Sequence, residues 1–336
     1  MYHNLFVLLC FFAAASGATI AASEGVQHGN STFTGLLLPD GFPPAQSNAV
    51  LAALPANLTA CEAITSAHLR YTLERIRNTP VQMYPYPHMI IDSIFEPSFY
   101  RCMMQALPRK NSAYKKLFPK VERYEIPLSR GPPKGTKEKK KKKKSSTPDP
   151  EPGPFWKAFN YVFGSKDLTV AYLQKMHDTV GRRDVEFSPS WQNDLFWNMA
   201  LCRDITGYEI GPHTDSRGKV VTVLYYLPKD QSAPKNAGTC VVRSKSGRTQ
   251  KHGSTWASWD DPDFEVVQQA EFVPNSVFVF AACHSSWHAV PQMTQRYERN
   301  TIQAFISAPV HFKSEKGPCL GPPLPPSTKT SGTLLE

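Results

Sequence analysis

An α+β fold is predicted for this chain, with helices first and a sandwich or barrel of short strands after them. Two observations carry that prediction. Up to about residue 180 the apolar residues recur at helical spacing, as in Leu69, Leu73 and Ile76. From Leu195 onward short apolar runs are separated by turn material such as Thr206-Gly207, Pro228-Lys229-Asp230 and Pro274-Asn275. Runs of helices followed by runs of strands define the α+β class. The length of 336 residues suffices for one well-packed domain with irregular flanks.

The first 23 residues contain no Asp, Glu, Lys or Arg. Leu5 to Phe12 is an apolar run followed by small residues to Ser23, the chemistry of a signal peptide over 1–23, although a basic start is missing. The rival reading is an uncleaved anchor from Leu5 to Ala22, and only that reading brings in a membrane. Residues 24–60 read as a flexible stem. Two glycosylation sequons, Asn30-Ser31-Thr32 and Asn57-Leu58-Thr59, fall in it and agree with the secretory pathway, secreted or within the ER or Golgi lumen.

Helices are expected from Cys61 to Ile76, from Glu96 to Ala106 with Pro97 in its first turn, from Phe155 to Phe163 and from Asp167 to Val180. A short strand is expected after Tyr84-Pro85-Tyr86-Pro87, through Met89-Ile90-Ile91. Residues 131–154 read as a disordered insert, being Pro, Gly, Lys and Ser with no apolar residues to offset ordering entropy until the helix begins. The insert also explains most of the formal charge of +10, because eight lysines and one glutamate lie between Lys134 and Lys144. The remaining charge is small and implies no nucleic-acid partner. Strands are expected at Leu195–Leu201, Val220–Leu227, Gly238–Val242, Phe264–Val267, Val277–Cys283, Trp287–Val290 and Thr301–Ile306.

Of seven cysteines, Cys10 leaves with the signal peptide. Cys61, Cys102, Cys202, Cys240, Cys283 and Cys319 remain, none in a zinc-type spacing. They can pair, while Cys202, Cys240 and Cys283 in apolar runs can equally be buried thiols.

The candidate chemistry lies in the strand-rich half. His213-Thr214-Asp215 puts an imidazole and a carboxylate on one side of an extended backbone, just before a strong strand. His288 opens a late strand. Two imidazoles and one carboxylate on one face of an iron leave positions open for a bidentate co-substrate and dioxygen. Arg299 and Thr301 follow; a guanidinium grips a carboxylate bidentately, and a hydroxyl two residues along the strand points the same way.

These motifs resemble the Fe(II)/2-oxoglutarate dioxygenase superfamily, whose HxD…H…R signature sits on a double-stranded β-helix. The likeness extends to Gly207-Tyr208-Glu209-Ile210-Gly211-Pro212, to Lys219 through Pro228, to Gly238-Thr239 and to Pro274 through Phe280. Tyr86-Pro87-His88 is similar to the lead-in strand of the prolyl-hydroxylase-like branch. The resemblance implies a jelly-roll core with N-terminal supporting helices, a dioxygenase domain over 61–312 and a disordered tail over 313–336. It also implies ferrous iron on His213, Asp215 and His288, with 2-oxoglutarate as co-substrate held by Arg299 and Thr301, and ascorbate as reductant. The implied reaction is hydroxylation of a substrate, peptidyl proline or a glycan, coupled to conversion of 2-oxoglutarate to succinate. The alternative is an inactive secreted cupin-like binding module. His284 rivals His288, and Arg296 rivals Arg299, but spacing favours His288 with Arg299. Tyr208 either hydrogen-bonds the co-substrate or packs beneath the site. His252, Trp256 and Trp259 fall in a segment expected to be a solvent loop, with a substrate lid as the sharper reading.

Overall fold

Local signals open the helices close to where the sequence places them. The structure is a computed structural model that describes residues 61, 63–118, 121–129, 150–180, 194–251, 255–309 and 317–319. The leader, the stem, His252 and most of the lysine-rich insert lie outside the described residues. Helix α1 (Ser66–Asn78) starts later than expected because Thr65 is extended and caps it, its N–H donating to His68 Nδ1 at 3.2 Å. Strand β1 (His88–Ile91) follows. Helix α2 (Pro97–Ala106) has proline in its first turn, and Glu96 accepts from the Phe99 N–H at 2.9 Å. Strands β2 (Lys115–Phe118) and β3 (Val121–Ser129) come next, then α3 (Pro154–Phe163), α4 (Lys166–Lys175) and α5 (His177–Val180). The single helix expected over 167–180 is therefore two, parted at Met176.

The strand-rich half contains β4 (Phe196–Asp204), β5 (Ile210–His213), β6 (Lys219–Tyr226), β7 (Thr239–Ser244), β8 (Phe264–Ala270), β9 (Ser276–Ala281), β10 (His288–Val290) and β11 (Arg299–Ser307). All pairings are antiparallel. One sheet runs β1-β9-β6-β11-β4-β3-β2 and the other β5-β10-β7-β8. From β4 to β7 the chain changes sheet at each strand, and again from β8 to β11. Every site element is placed by this path, since β5 and β10 lie in the small sheet while β6 and β11 lie in the large one.

Residues of the large sheet sort by parity, as a pleat requires. Ile302, Ala304 and Ile306 of β11, with Val221, Val223 and Tyr225 of β6, join the core beneath the helices. There they meet Phe95, Phe99, Phe155, Phe159 and Phe163, whose rings stack or meet edge to face, each burial contributing about 1.5–3 kcal/mol. Residues of the opposite parity, Leu224, Tyr226, Phe278 and Phe280, meet Val241 of the small sheet. The molecule is thus layered as helices, large sheet, small sheet, and the space between the sheets is where polar residues collect.

Two strands, β2 and β3, escape the sequence reading. β3 reads Val-Glu-Arg-Tyr-Glu-Ile-Pro-Leu-Ser, with charges on both parities and a proline inside, and looks unlike a central strand. The register beside Pro127 shifts against β4, which accommodates the missing N–H. β5 is not among the expected strands either, although the backbone at His213 reads as extended. Two disulfides form, Cys61–Cys102 and Cys283–Cys319, while Cys202 and Cys240 are buried thiols. Cys283 is therefore bonded rather than free, and Gly317–Cys319 of the expected tail is pinned to the domain. No helix of the described residues is long and apolar enough to cross a membrane.

Candidate active site

His213 ends β5 and His288 begins β10, and the antiparallel register sets them directly opposite. Their ring centroids stand 4.2 Å apart. Each ring is aimed by its own chain: His213 Nδ1 faces the Gly211 carbonyl at 3.0 Å, and His288 Nδ1 faces the Ser286 carbonyl at 3.0 Å. A carbonyl only accepts, so both Nδ1 atoms carry the proton and both Nε2 atoms keep a lone pair for a metal. Asp215 lies two residues past His213, with Oδ2 4.0 Å from His288 Nε2. Lys219 Nζ donates to its Oδ1 and Thr222 Oγ1 to its Oδ2, each at 2.5 Å. One ligand atom from each of His213, Asp215 and His288 falls within 4.8 Å of the others, the one such cluster among the described residues.

The protonation states suit a cation. Burial, then the neighbouring His288, lowers His213 to about 3. Burial opposes ionisation of Asp215, but Lys219, His288 and His213 outweigh it and hold the carboxyl below the usual carboxylate range. At neutral pH a divalent metal therefore displaces no proton from His213 or Asp215.

Arg299, Gln303 and Phe305 of β11 reach the same cavity, about 210 Å³ in volume, that the two histidines and Asp215 line. Arg299 is 1% exposed. Its Nε donates to the Ala237 carbonyl at 2.6 Å, Nη1 to Asp204 Oδ2 at 2.7 Å and Nη2 to Thr239 Oγ1 at 3.3 Å. Thr301 shares its face of the strand, and its buried Oγ1 has no hydrogen-bond partner among the described residues. A buried hydroxyl without a partner is uncommon and fits a ligand group still to arrive.

Tyr208 enters the cavity from the turn at Gly207, whose φ of 90° suits glycine. It packs beneath the site, one of the two readings expected, and its hydroxyl is engaged by a protein residue. The ring packs 4.5 Å beneath the Arg123 guanidinium, and its Oη accepts a hydrogen bond from Arg123 Nη2. Burial pushes the phenol up, so it remains a donor. Arg123 is the residue that sequence reasoning missed, because it stands on the unpredicted β3. Its Nε and Nη2 clasp Asp204 at 2.7 and 3.0 Å, and Nη1 reaches Gln303 at 3.3 Å. Asp204 thus sits between two arginines.

The rivals fall elsewhere. Arg296 is exposed in a separate groove with Arg109 and Lys229. His284 is outside the metal-competent cluster; its backbone N–H donates to the Gly317 carbonyl at 3.2 Å. Trp256 stands at the cavity mouth, 47% exposed, with its ring 6.1 Å from that of His213. Its segment closes on β5: Ala257 N–H donates to Pro212 O at 2.8 Å, and a Cβ at Gly211 would meet the Ala257 carbonyl at 2.1 Å. Trp259 instead packs on the outer face of the small sheet. Gln250, also missed, ties three parts of the site together. Its Oε1 accepts from Thr214 N and Oγ1 at 3.3 and 3.1 Å, its Nε2 donates to Thr255 O at 2.8 Å, and its backbone N–H donates to His284 O at 2.7 Å. No sequence signal marks it.

No family model matches the sequence, and no curated protein matches it. Among solved structures, the chain is similar to a 2OG-Fe(II) oxygenase family oxidoreductase from Burkholderia pseudomallei, with 14% identity over 70% of this chain and 88% of that one at a TM-score of 0.36. It is similar to a Pseudomonas putida prolyl-4-hydroxylase at 10% identity, covering 70% and 98% of the two chains, TM-score 0.39. HygX from Streptomyces hygroscopicus, with nickel and 2-oxoglutarate bound, shares 11% identity over 73% and 88%, TM-score 0.37. The cavity's chemistry is defined by its own residues, two imidazoles and a carboxylate at one end and guanidinium and hydroxyl donors at the other.

Proposed function

We propose that this chain is an Fe(II)- and 2-oxoglutarate-dependent oxygenase built on a double-stranded β-helix. The observation that carries the reading is the sharing of one buried cavity by a metal-competent His213–Asp215–His288 cluster and a guanidinium-rich anion end. The donor set suits ferrous iron, since two imidazoles and one carboxylate on one face leave positions for a chelating co-substrate. The unpartnered Thr301 hydroxyl suits a carboxylate oxygen. When bound, iron supplies the redox chemistry that couples oxidation of 2-oxoglutarate to succinate with oxygenation of the substrate.

The chain's own residues orient and seal. The Gly211 and Ser286 carbonyls fix the imidazoles, and Lys219 with Thr222 fixes the carboxylate. Arg299, Thr301 and Tyr208 would hold the distal carboxylate of 2-oxoglutarate. Ile210, Val290 and Phe305 give the cavity apolar wall, and Trp256 flanks the entrance. The substrate is proposed to be a protein, at peptidyl proline, or a glycan in the secretory pathway, supported by the leader-like N-terminus and the two sequons. The inactive binding module is disfavoured because every ligand side chain is present and aimed.

The test is succinate release from 2-oxoglutarate by the purified chain with ferrous iron and ascorbate under air. Iron-dependent turnover that disappears in His213→Ala and Asp215→Ala is expected. Absence of both turnover and anaerobic binding of iron with 2-oxoglutarate would overturn the reading.

A further inference from the structure

The anion end of the cavity contains a charge problem that Arg299 alone does not solve. Its guanidinium lies 2.7 Å from the Asp204 carboxylate, which is 0% exposed. A buried Arg299–Asp204 pair is neutral overall, and a neutral pair is a poor counterion for a second carboxylate brought out of water. Arg123, 7% exposed, clasps the same Asp204 from the other side through Nε and Nη2. The Arg123–Asp204–Arg299 triad therefore carries a net charge of +1 at a place that water scarcely reaches.

The donor count agrees. A guanidinium has five N–H bonds. Arg299 directs one each to Ala237, Asp204 and Thr239, leaving two. Arg123 directs two to Asp204, one to Gln303 and one to Tyr208, leaving one. Tyr208 Oη, having accepted from Arg123, keeps its own proton to donate, and the Thr301 hydroxyl has no partner. Arg123, Arg299 and Tyr208 line one cavity, and Thr301 stands on the Arg299 face of β11.

We infer that Arg123 is a binding and selectivity residue of the site, supplying the surplus positive charge that makes the cavity choose a 2-oxo dicarboxylate over a 2-oxo monocarboxylate. The inference rests on the proposed co-substrate reading and adds to it a residue from β3, outside the strands that carry the metal ligands and Arg299. Asp204 then acts as the scaffold that holds the two arginines together against their mutual repulsion. Arg123 also positions Tyr208, through the hydrogen bond to Oη and the ring stacked beneath its guanidinium.

The experiment is calorimetric titration, without oxygen, of 2-oxoglutarate and of 2-oxopentanoate into the Ni(II)-loaded chain. Wild type, Arg123→Met and the double variant Arg123→Met with Asp204→Asn are compared. Arg123→Met is expected to weaken 2-oxoglutarate by about 10- to 100-fold, the scale of a lost charge-assisted contact, while 2-oxopentanoate, with no distal carboxylate, changes little. The double variant restores the charge balance by removing Asp204's negative charge and is expected to regain most of the 2-oxoglutarate affinity. A merely structural Arg123 would give no such recovery, because the second substitution would only compound the first. Ni(II) affinity and thermal melting of each variant report whether the fold survives. Equal binding of 2-oxoglutarate by wild type and Arg123→Met would overturn the inference alone, as would a double variant no better than the single one. A wild type that binds Ni(II) but not 2-oxoglutarate would overturn the co-substrate reading and the inference with it.

Discussion

Thr301 is a residue whose cost and use can be separated. Its hydroxyl is buried without a partner, so the metal-free, ligand-free protein gains nothing from it. Thr301→Val is expected to leave the melting temperature unchanged or slightly raised, and to weaken 2-oxoglutarate by about tenfold, the scale of one hydrogen bond to a charged group. A large fall in melting temperature with unaltered affinity would mean that the hydroxyl serves the fold instead. His213 gives a pH signature. Its ordinary value is 6.5, and in the folded chain burial followed by His288 lowers it to about 3. Below pH 6.5 the unfolded chain takes up a proton that the folded site refuses. Stability of chelator-treated protein should therefore fall as pH drops from 6.5 toward 3 and gain no further loss from this group below that. Urea midpoints for wild type against His213→Gln, measured between pH 7 and 4, would show a shallower decline in the variant; parallel curves would contradict the assignment.

At the scale of elements, the site depends on three segments that do not adjoin in sequence. β5 and β10 bring the imidazoles together by register, and the loop after β7 locks them by way of Gln250. The Gln250 side chain holds Thr214, the residue between two ligands, to Thr255, while its backbone N–H meets the His284 carbonyl ahead of the third ligand. The side chain therefore bears on the placement of His213 and Asp215. Gln250→Ala is expected to lower metal affinity by about 10-fold, at the lower end of what outer partners of metal ligands contribute. Competition with a chromophoric chelator would measure it, and an unchanged affinity would reduce Gln250 to a loop staple. β3 is the element whose absence from the sequence reading mattered most. Its inward Arg123 and the interior Pro127 break the apolar alternation that marks a strand, and that same break is what places a cation inside the cavity.

At the scale of the molecule, the helices and the large sheet form one apolar core, and the cavity lies on the other side of that sheet. The segment between β9 and β10, which leads to His288, is braced by the Cys283–Cys319 bond, whose partners are 36 residues apart. Loop-closure entropy for that separation corresponds to about 3–4 kcal/mol. Replacing both cysteines by serine should lower stability on that scale in urea unfolding, and should loosen the turn before His288, where His284 N–H meets Gly317. A variant as stable as wild type would show that the strap has no such role.

Much of this molecule is legible in residue order, because the signals involved are local. Proline at a first turn gave α2, and helical pattern gave α3 from Phe155, although its first residue, Pro154, reads as the end of the insert. Apolar runs between turns gave most of β4 to β11, and alternation along β11 put Arg299 and Thr301 on one face. The two-residue step from His213 to Asp215 is equally local. Strand order is a different matter, since pairing joins segments far apart in the chain and is chosen by how all faces bury at once. Only the tertiary structure set His288 opposite His213, and only it brought Arg123 and Arg299 onto Asp204 from 81 and 95 residues away. A buried charge is tolerated where its partners are, and partners supplied by other strands leave no mark in the sequence around it.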